Sequence, residues 1–160
     1  AYPGAPGEGR RATADDLGLV FEWMAAFHAE AVPDDPPVTQ EEVARTSKER
    51  VVMFWEVGGE PVSLAGLARS TRQAAAIGPV YTPPKFRARG YAGSVTAALA
   101  EFIFASRKKA ACLYTNLLNP YSNRCYAKIG FRPVCKSWHY HRIGSREGEM
   151  QSGSDLKDSQ

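Results

Sequence analysis

The chain has 160 residues, of which 44% are hydrophobic and 23% charged, and its formal net charge is +3. These values predict one globular domain whose hydrophobic core is large enough to be stable without disulfide bonds or a structural metal ion. No apolar run is long enough to span a membrane. Such a small charge, carried by scattered basic residues, argues against a nucleic-acid partner. Three cysteines without a C-x-x-C pair indicate reduced thiols and a cytoplasmic location.

The two ends of the chain differ in composition from its middle. Residues 1–9 are rich in Pro and Gly and predict a flexible leader or linker, whereas residues 144–160 are almost without apolar side chains and predict a disordered tail. A single folded domain is therefore expected over 10–143. An upstream region of a longer protein and a processed complete domain are both compatible with this start.

The first part of the domain predicts a strand followed by two helices. Capping-box spacing marks both helix starts, as Thr13-x-x-Asp16 and Thr39-x-x-Glu42. The predicted elements are a strand over 10–13 and helices over 17–31 and 39–45.

The remainder of the domain predicts three locally paired strands before its main helix. Local antiparallel pairing favours a mixed α/β sheet, mostly antiparallel and flanked by helices, over a doubly wound parallel sheet. The predicted strands cover 51–57, 61–69, 74–82, 112–118 and 131–141, and the predicted helices cover 93–108 and 122–129, with Gly130 as a helix stop.

A glycine-rich stretch, Arg87-Ala88-Arg89-Gly90-Tyr91-Ala92-Gly93-Ser94, connects the third of these strands to the main helix. Small residues let the backbone run close to a ligand, and the free N–H groups and positive dipole of a helix start attract anions. The stretch predicts a pyrophosphate cradle. A turn that only permits close packing is the alternative.

Two motifs follow one another along the chain: Arg87-x-x-Gly90-x-Ala92, then Asn119-x(6)-Tyr126-x-Lys128-x-Gly130-Phe131. Together they resemble the GNAT superfamily of acyl-CoA-dependent N-acyltransferases. The FR47-like branch is similar in Val80-Tyr81-Thr82-Pro83-Pro84 and Asn119-Pro120-Tyr121-Ser122-Asn123, and the likeness extends from Arg10 to Tyr140. This resemblance implies a GNAT-like fold and transfer of an acyl group, most often acetyl, from acetyl-CoA to an amine acceptor.

The resemblance also implies where the donor binds. Backbone groups of the strand before the loop would pair with pantetheine, an N–H there would stabilise the oxyanion, and the loop amides would hold the pyrophosphate. The implied cofactor-binding residues are Val80, Tyr81, Thr82, Arg87, Ala88, Arg89, Gly90, Tyr91, Ala92, Gly93, Ser94, Asn119 and Asn123. The alternative for Arg87 and Arg89 is that they are solvated loop residues, and the alternative for Asn119 is that it caps a helix.

Two residues are the catalytic candidates. Tyr126 would deliver a proton to the CoA sulfur, because a phenol is protonated at neutral pH, although packing under the helix is its alternative role. Glu56 is the acid that the predicted strands offer as a general base, acting through a water chain; the acceptor could instead lose its proton before attack. No metal is expected. The competing class is a catalytically impaired CoA-binding or sensor module.

The acceptor is expected to be a small-molecule or peptide amine. The pocket implied by the resemblance borders the 33–37 segment and the hairpin strands, with His139 and Tyr140 as further candidates. Asp34 and Asp35 either face a cationic amine or are exposed turn residues. Edge strands near the C-terminus could pair with a second copy, which leaves a homodimer open.

Overall fold

The structure is a computed structural model that describes residues 2–33 and 35–138, without the side chains at positions 48 and 49. This part of the chain contains five strands and four α-helices, and none of these helices is long and apolar enough to cross a membrane. In chain order they are β1 Glu8–Arg11, α1 Leu17–Ala31, α2 Gln40–Glu49, β2 Val52–Val57, β3 Glu60–Ser70, β4 Ala74–Tyr81, α3 Tyr91–Ala105, β5 Ala110–Leu113 and α4 Pro120–Ile129.

The strands form one mixed sheet in the order β1-β2-β3-β4-β5. The first three pairings are antiparallel, and the pairing of β4 with β5 is parallel. Gly58 and Gly59 connect β2 to β3 with φ angles of 59° and 81°, which glycine adopts without strain, so a tight hairpin forms there. The parallel pair requires a crossover, and α3 supplies it. The predicted mostly antiparallel sheet is confirmed.

The sheet carries a hydrophobic cluster on each face, because adjacent strand residues point to opposite sides. Phe54 of β2 packs with residues of α1 and α2 such as Trp23 and Val43, whereas its neighbour Met53 packs with residues of α3 such as Leu99. The helices therefore lie in two layers, with α1 and α2 on one face of the sheet and α3 on the other.

Both predicted capping boxes are present. The Thr13 amide donates to Asp16 Oδ2 at 2.7 Å, and the Thr39 amide donates to Glu42 Oε2 at 2.9 Å. The helix stop is also confirmed, since Gly130 ends α4 with a φ of 112°.

The predicted strand over 112–118 is wrong at both ends, because β5 is Ala110–Leu113. Two hydrogen bonds turn the chain after it: the Asn116 Oδ1 atom accepts from the Leu118 amide at 2.8 Å, and the Asn116 carbonyl accepts from the Asn119 amide at 3.0 Å. Side-chain bonding of this kind competes with a strand ladder.

The predicted final strand over 131–141 is not found where the structure describes it, since residues 131–138 pair with no strand there. The rest of that strand and the predicted tail over 144–160 lie outside the described residues. At the other end, Glu8 and Gly9 of the predicted leader belong to β1, which pairs with β2.

Candidate active site

β4 and β5 separate half-way along β4. Their pairing covers residues Ala74 to Ile77 and Ala110 to Leu113, and beyond Ile77 this edge of β4 has no strand partner among the described residues. A bulge follows, after which Val80 pairs with Ala65 of β3. An open strand edge offers unpaired N–H and C=O groups, so an extended amide-bearing ligand can bind here as an additional strand.

The three residues predicted to contact pantetheine differ in how their carbonyls are used. The Tyr81 carbonyl accepts from Ser63 Oγ at 3.0 Å, and the Thr82 carbonyl accepts from Arg87 Nε at 2.9 Å. The Val80 carbonyl has no side-chain partner in the described part of the chain. Among these three, Val80 is therefore the best-placed backbone acceptor for a ligand.

The glycine-rich loop ends where α3 begins. Gly90 is the N-cap with a φ of 85°, and Ala88 has a φ of 62°. The amides of Tyr91, Ala92 and Gly93 have no helical acceptor, and the described residues supply no other backbone acceptor for them. The first turn also contains no acidic residue. Free donors at the positive end of a helix form a candidate anion site.

Gly93 lies where α3 and α4 meet. A Cβ atom at this position would collide with the Tyr2 hydroxyl and come 3.1 Å from Cys125 Sγ. The absence of a side chain thus allows α4 to approach the first turn of α3. Tyr126 follows Cys125 directly, so the candidate proton donor belongs to the segment that borders the candidate anion site.

The two loop arginines have different surroundings. Arg87 donates to both carboxylate oxygens of Glu30, at 2.9 and 2.7 Å, in addition to its bond to the Thr82 carbonyl. Its charge is already paired. Arg89 is exposed and has no ion-pair partner among the described residues, so it is the arginine available to a phosphate.

Asn119 and Asn123 hold their own segment together. Asn119 Oδ1 caps α4 by accepting from the amides of Tyr121 and Ser122 at 3.2 and 3.1 Å. Asn123 Nδ2 donates to the carbonyls of Asn116 and Leu117 at 3.2 and 3.1 Å. The capping alternative for Asn119 is therefore present, and contacts of either amide with pantetheine stay predictions.

Tyr126 is half-buried on α4. Its ring meets that of Phe131 edge to face, with centroids 6.2 Å apart and planes at 71°. Burial, with a smaller contribution from Cys125, raises the pKa of Tyr126 to about 12. The phenol therefore keeps its proton at neutral pH and is available as a proton donor when a thiolate leaves. Packing and proton donation are compatible here.

Glu56 lies on β2 and belongs to an ion cluster. Arg10 contacts Glu56 Oε1 at 2.7 Å and Asp16 Oδ2 at 2.7 Å, and its guanidinium lies over the ring of Phe54. This pairing holds the pKa of Asp16 well below its usual range and raises that of Arg10. Since neighbouring strands are ~4.8 Å apart, Glu56 lies about 10 Å from β4, and only water could connect it to a substrate there.

One acidic residue beside β4 was missed by the sequence prediction. Glu30, near the end of α1, accepts from the Tyr81 hydroxyl at 3.2 Å and pairs with Arg87. Burial, followed by the charge of Glu30, raises the pKa of Tyr81. The separation of 51 positions between Glu30 and Tyr81 leaves no spacing signal in the sequence. Among the described residues, no group of His, Cys, Asp or Glu side chains is arranged to hold a metal ion.

A mixed sheet that opens beside its fourth strand, above the start of a central helix, defines the GNAT type of acyltransferase fold. Residues 57–143 match the family described as FR47-like protein, which is more than half of the chain. The chain belongs to the FR47-like family of the GNAT superfamily. The predicted resemblance and fold class are thus confirmed. A comparison with curated protein sequences gives no significant match.

Solved acetyltransferase structures share this fold. A Trypanosoma brucei acetyltransferase is 20% identical, with a TM-score of 0.63 over 84% of this chain and 99% of that one. The enzyme AAC(6')-Iy, in complex with the bisubstrate analogue CoA-S-monomethyl-acetylneamine, is 14% identical, with a TM-score of 0.67 over 86% and 98%. An aminoglycoside acetyltransferase from an uncultured soil sample, in complex with sisomicin, is 10% identical, with a TM-score of 0.69 over 85% and 95%. At these identities the likeness is one of fold.

Proposed function

We propose that the protein transfers an acyl group, most often acetyl, from acyl-CoA to an amine that attacks directly in a ternary complex. The observation that carries the proposal is the combination of an open β4 edge with a helix start whose amides are free. One feature suits the amide-bearing pantetheine arm and the other suits the pyrophosphate. Both lie at the same end of β4, as one elongated donor requires.

The chemistry divides among a few groups. The amine nitrogen attacks the thioester carbonyl, a backbone N–H at the open β4 edge stabilises the oxyanion, and the C–S bond then breaks. Tyr126 gives its proton to the departing thiolate. Its high pKa keeps the hydroxyl protonated until that step.

The proton of the amine has two candidate acceptors. Glu56, predicted from the sequence, is paired with Arg10 and would act through water. Glu30 is nearer to the end of β4, because it contacts the hydroxyl of Tyr81. An amine that is already neutral would need neither carboxylate.

The acceptor is proposed to be a small molecule or peptide with a primary amine. Support comes from the fold shared with aminoglycoside acetyltransferases, one of which was solved with sisomicin. Glu30, on the α1 side of β4, would bind a cationic amine by exchanging part of its pairing with Arg87. The cytoplasmic location and the homodimer stay predictions.

The direct test is CoA binding by calorimetry in a pair of isosteric variants, Gly90→Asp and Gly90→Asn. Both side chains tolerate the left-handed φ of Gly90, and a Cβ there would be 3.6 Å from Ala5, an ordinary contact. Because only Asp adds a negative charge at the anion site, Gly90→Asp should lose CoA binding while Gly90→Asn retains it. Equal binding by the two folded variants would reject the cradle.

A CoA-binding sensor without turnover is the second candidate, and one observation favours it. The strand carboxylate predicted as base, Glu56, is bound to Arg10 rather than free. Acetyl-CoA and a panel of amines distinguish the two, because an enzyme releases thiol in proportion to the product formed. CoA binding without thiol release from any amine would support the sensor.

A further inference from the structure

Residues 2–6 wrap around the first turn of α3, at the candidate anion site. The Ala5 amide donates to Ser94 Oγ at 2.7 Å. The Cβ of Ala5 is 3.6 Å from the position that a Cβ on Gly90 would take, and a Cβ on Gly4 would lie 3.6 Å from Ser94 Oγ. A segment outside the sheet and helices thus lies against both the cap and the first turn of α3.

Tyr2 extends this contact to the junction of α3 and α4. Its hydroxyl and Cys125 Sγ both crowd the point at which Gly93 would carry a Cβ. Burial, with a smaller contribution from Cys125, raises the pKa of Tyr2. The phenol ring therefore fills space between the two helices, next to the segment that contains Tyr126.

The other end of the segment is attached to the sheet. Trp55 Nε1 on β2 donates to the Pro6 carbonyl at 3.0 Å. Pro3 and Pro6 restrict the backbone of the segment, which lowers the entropy that it loses on docking. None of residues 2–6 carries a charged side chain, so the docked segment brings no negative charge to the free amides of α3.

We propose that residues 2–6 are an autoinhibitory strap that occupies the donor site, so that acyl-CoA binds only when they leave. The proposal rests on the proposed function, because it takes the first turn of α3 as the pyrophosphate site, and the junction of α3 and α4 borders that turn. Ala5 and Tyr2 contact these two places. One segment therefore blocks both, and CoA must displace it.

Competition of this kind has a quantitative consequence. If the strap is docked nine-tenths of the time, the apparent Kd for CoA is about tenfold higher than that of the open site. Weakening the strap should therefore tighten CoA binding, which is the opposite of what loss of a ligand contact would do.

The test is calorimetry of CoA binding to the full chain and three variants, with folding checked by circular dichroism. Tyr2→Ala empties the gap, and Ala5→Pro removes the amide that donates to Ser94. Tyr2→Phe is the matched control, because it keeps the ring and changes only the hydroxyl. We expect the first two variants to bind CoA about three- to tenfold more tightly than the parent and Tyr2→Phe to bind like the parent.

The outcomes separate the two proposals. Equal CoA binding by the parent and all variants would overturn the strap while leaving the donor site in place, and weaker binding by Tyr2→Ala would make Tyr2 a ligand contact instead. Failure of every chain to bind CoA would overturn both. A second readout is the indole N–H signal of Trp55 in nuclear magnetic resonance spectra: saturating CoA should shift it in the parent, as the Pro6 carbonyl departs, and an unchanged signal would also overturn the strap.

Discussion

Arg87 binds both carboxylate oxygens of Glu30, at 2.9 and 2.7 Å, although the two residues are 57 positions apart in the chain. The pair joins the end of α1 to the loop that precedes α3. An arginine that the motif suggested for phosphate binding thus attaches its loop to the α1 layer.

The two loop arginines should therefore respond differently to the same substitution. Arg87→Gln is expected to leave the Kd for CoA nearly unchanged, because its guanidinium is already paired with Glu30. Arg89→Gln should raise that Kd about fivefold, equivalent to about 1 kcal/mol, since an exposed charge contributes no more than this. Calorimetry at low and high salt measures both, and the Arg89 effect should shrink with salt. A larger loss of CoA affinity in Arg87→Gln than in Arg89→Gln would indicate that Arg87 binds the phosphate.

Removal of the Tyr126 hydroxyl should affect turnover more than binding. Tyr126→Phe keeps the ring that packs on Phe131, so the Kd for CoA should hardly change. Loss of the general acid should lower kcat about 100-fold. Steady-state kinetics with acetyl-CoA and an amine check this, and an unchanged kcat would assign Tyr126 to packing alone.

The raised pKa of Tyr126 also predicts a change in stability at alkaline pH. Below pH 10 the folded and unfolded chains both keep this proton, so its full contribution to stability is present. Between the unfolded value of 10 and the folded value of about 12, the unfolded chain loses the proton first, and up to about 3 kcal/mol of stability is lost.

Urea unfolding of the parent and Tyr126→Phe between pH 9 and 12 measures this loss. The variant should lose less stability than the parent as the pH rises. Tyr121→Phe, whose ring is on a residue 78% exposed, is the control and should follow the parent. The prediction would be contradicted if the free energy of unfolding fell equally with pH in the parent and in Tyr126→Phe.

The two candidate bases can be separated by matched Glu→Gln substitutions. Glu56→Gln should mainly reduce the free energy of unfolding, by about 1–3 kcal/mol, because it weakens the cluster around Arg10. Glu30→Gln should lower kcat/KM for the amine about tenfold if its carboxylate accepts the proton or binds the cation.

Arg87→Gln controls for the loss of positioning in Glu30→Gln, since it breaks the same ion pair from the other side. The pH dependence of kcat/KM adds a readout that positioning alone would not change. Loss of turnover in a stable Glu56→Gln variant would instead favour the sequence-based assignment of the base.

The local elements could be predicted well from the sequence. Helix starts and stops depend on residues within a few positions of one another, so they can be recognised directly in the sequence. The capping boxes at Thr13 and Thr39 and the helix stop at Gly130 are examples. β5 was misplaced because its end depends on the divergence of β4, a distant strand, and on the turn at Asn116. The type of fold followed from motif order rather than from any single element.

The candidate site was predicted less completely than the fold. Its backbone parts, the open β4 edge and the first turn of α3, are located by motif spacing. The partners of its side chains could not be predicted from motif spacing, because Glu30 meets Arg87, and Tyr2 meets Gly93, only after long-range folding. The prediction of a flexible leader depended on its proline and glycine content and its lack of periodicity. These features indicate that the segment is neither helix nor strand, but they do not show which residues it contacts.

The side chains of β4 alternate between the two faces of the sheet, and the sites proposed for donor and amine lie on opposite faces accordingly. Val80 packs on the α3 side, with the proposed donor site, whereas the adjacent Tyr81 points to the α1 side and contacts Glu30. Redesign of amine preference can therefore be confined to the layer formed by α1 and α2. A chimaera that exchanges residues on that layer alone should accept a new amine while keeping its affinity for the thioester donor, which would make the strand a partition between two independently adjustable specificities.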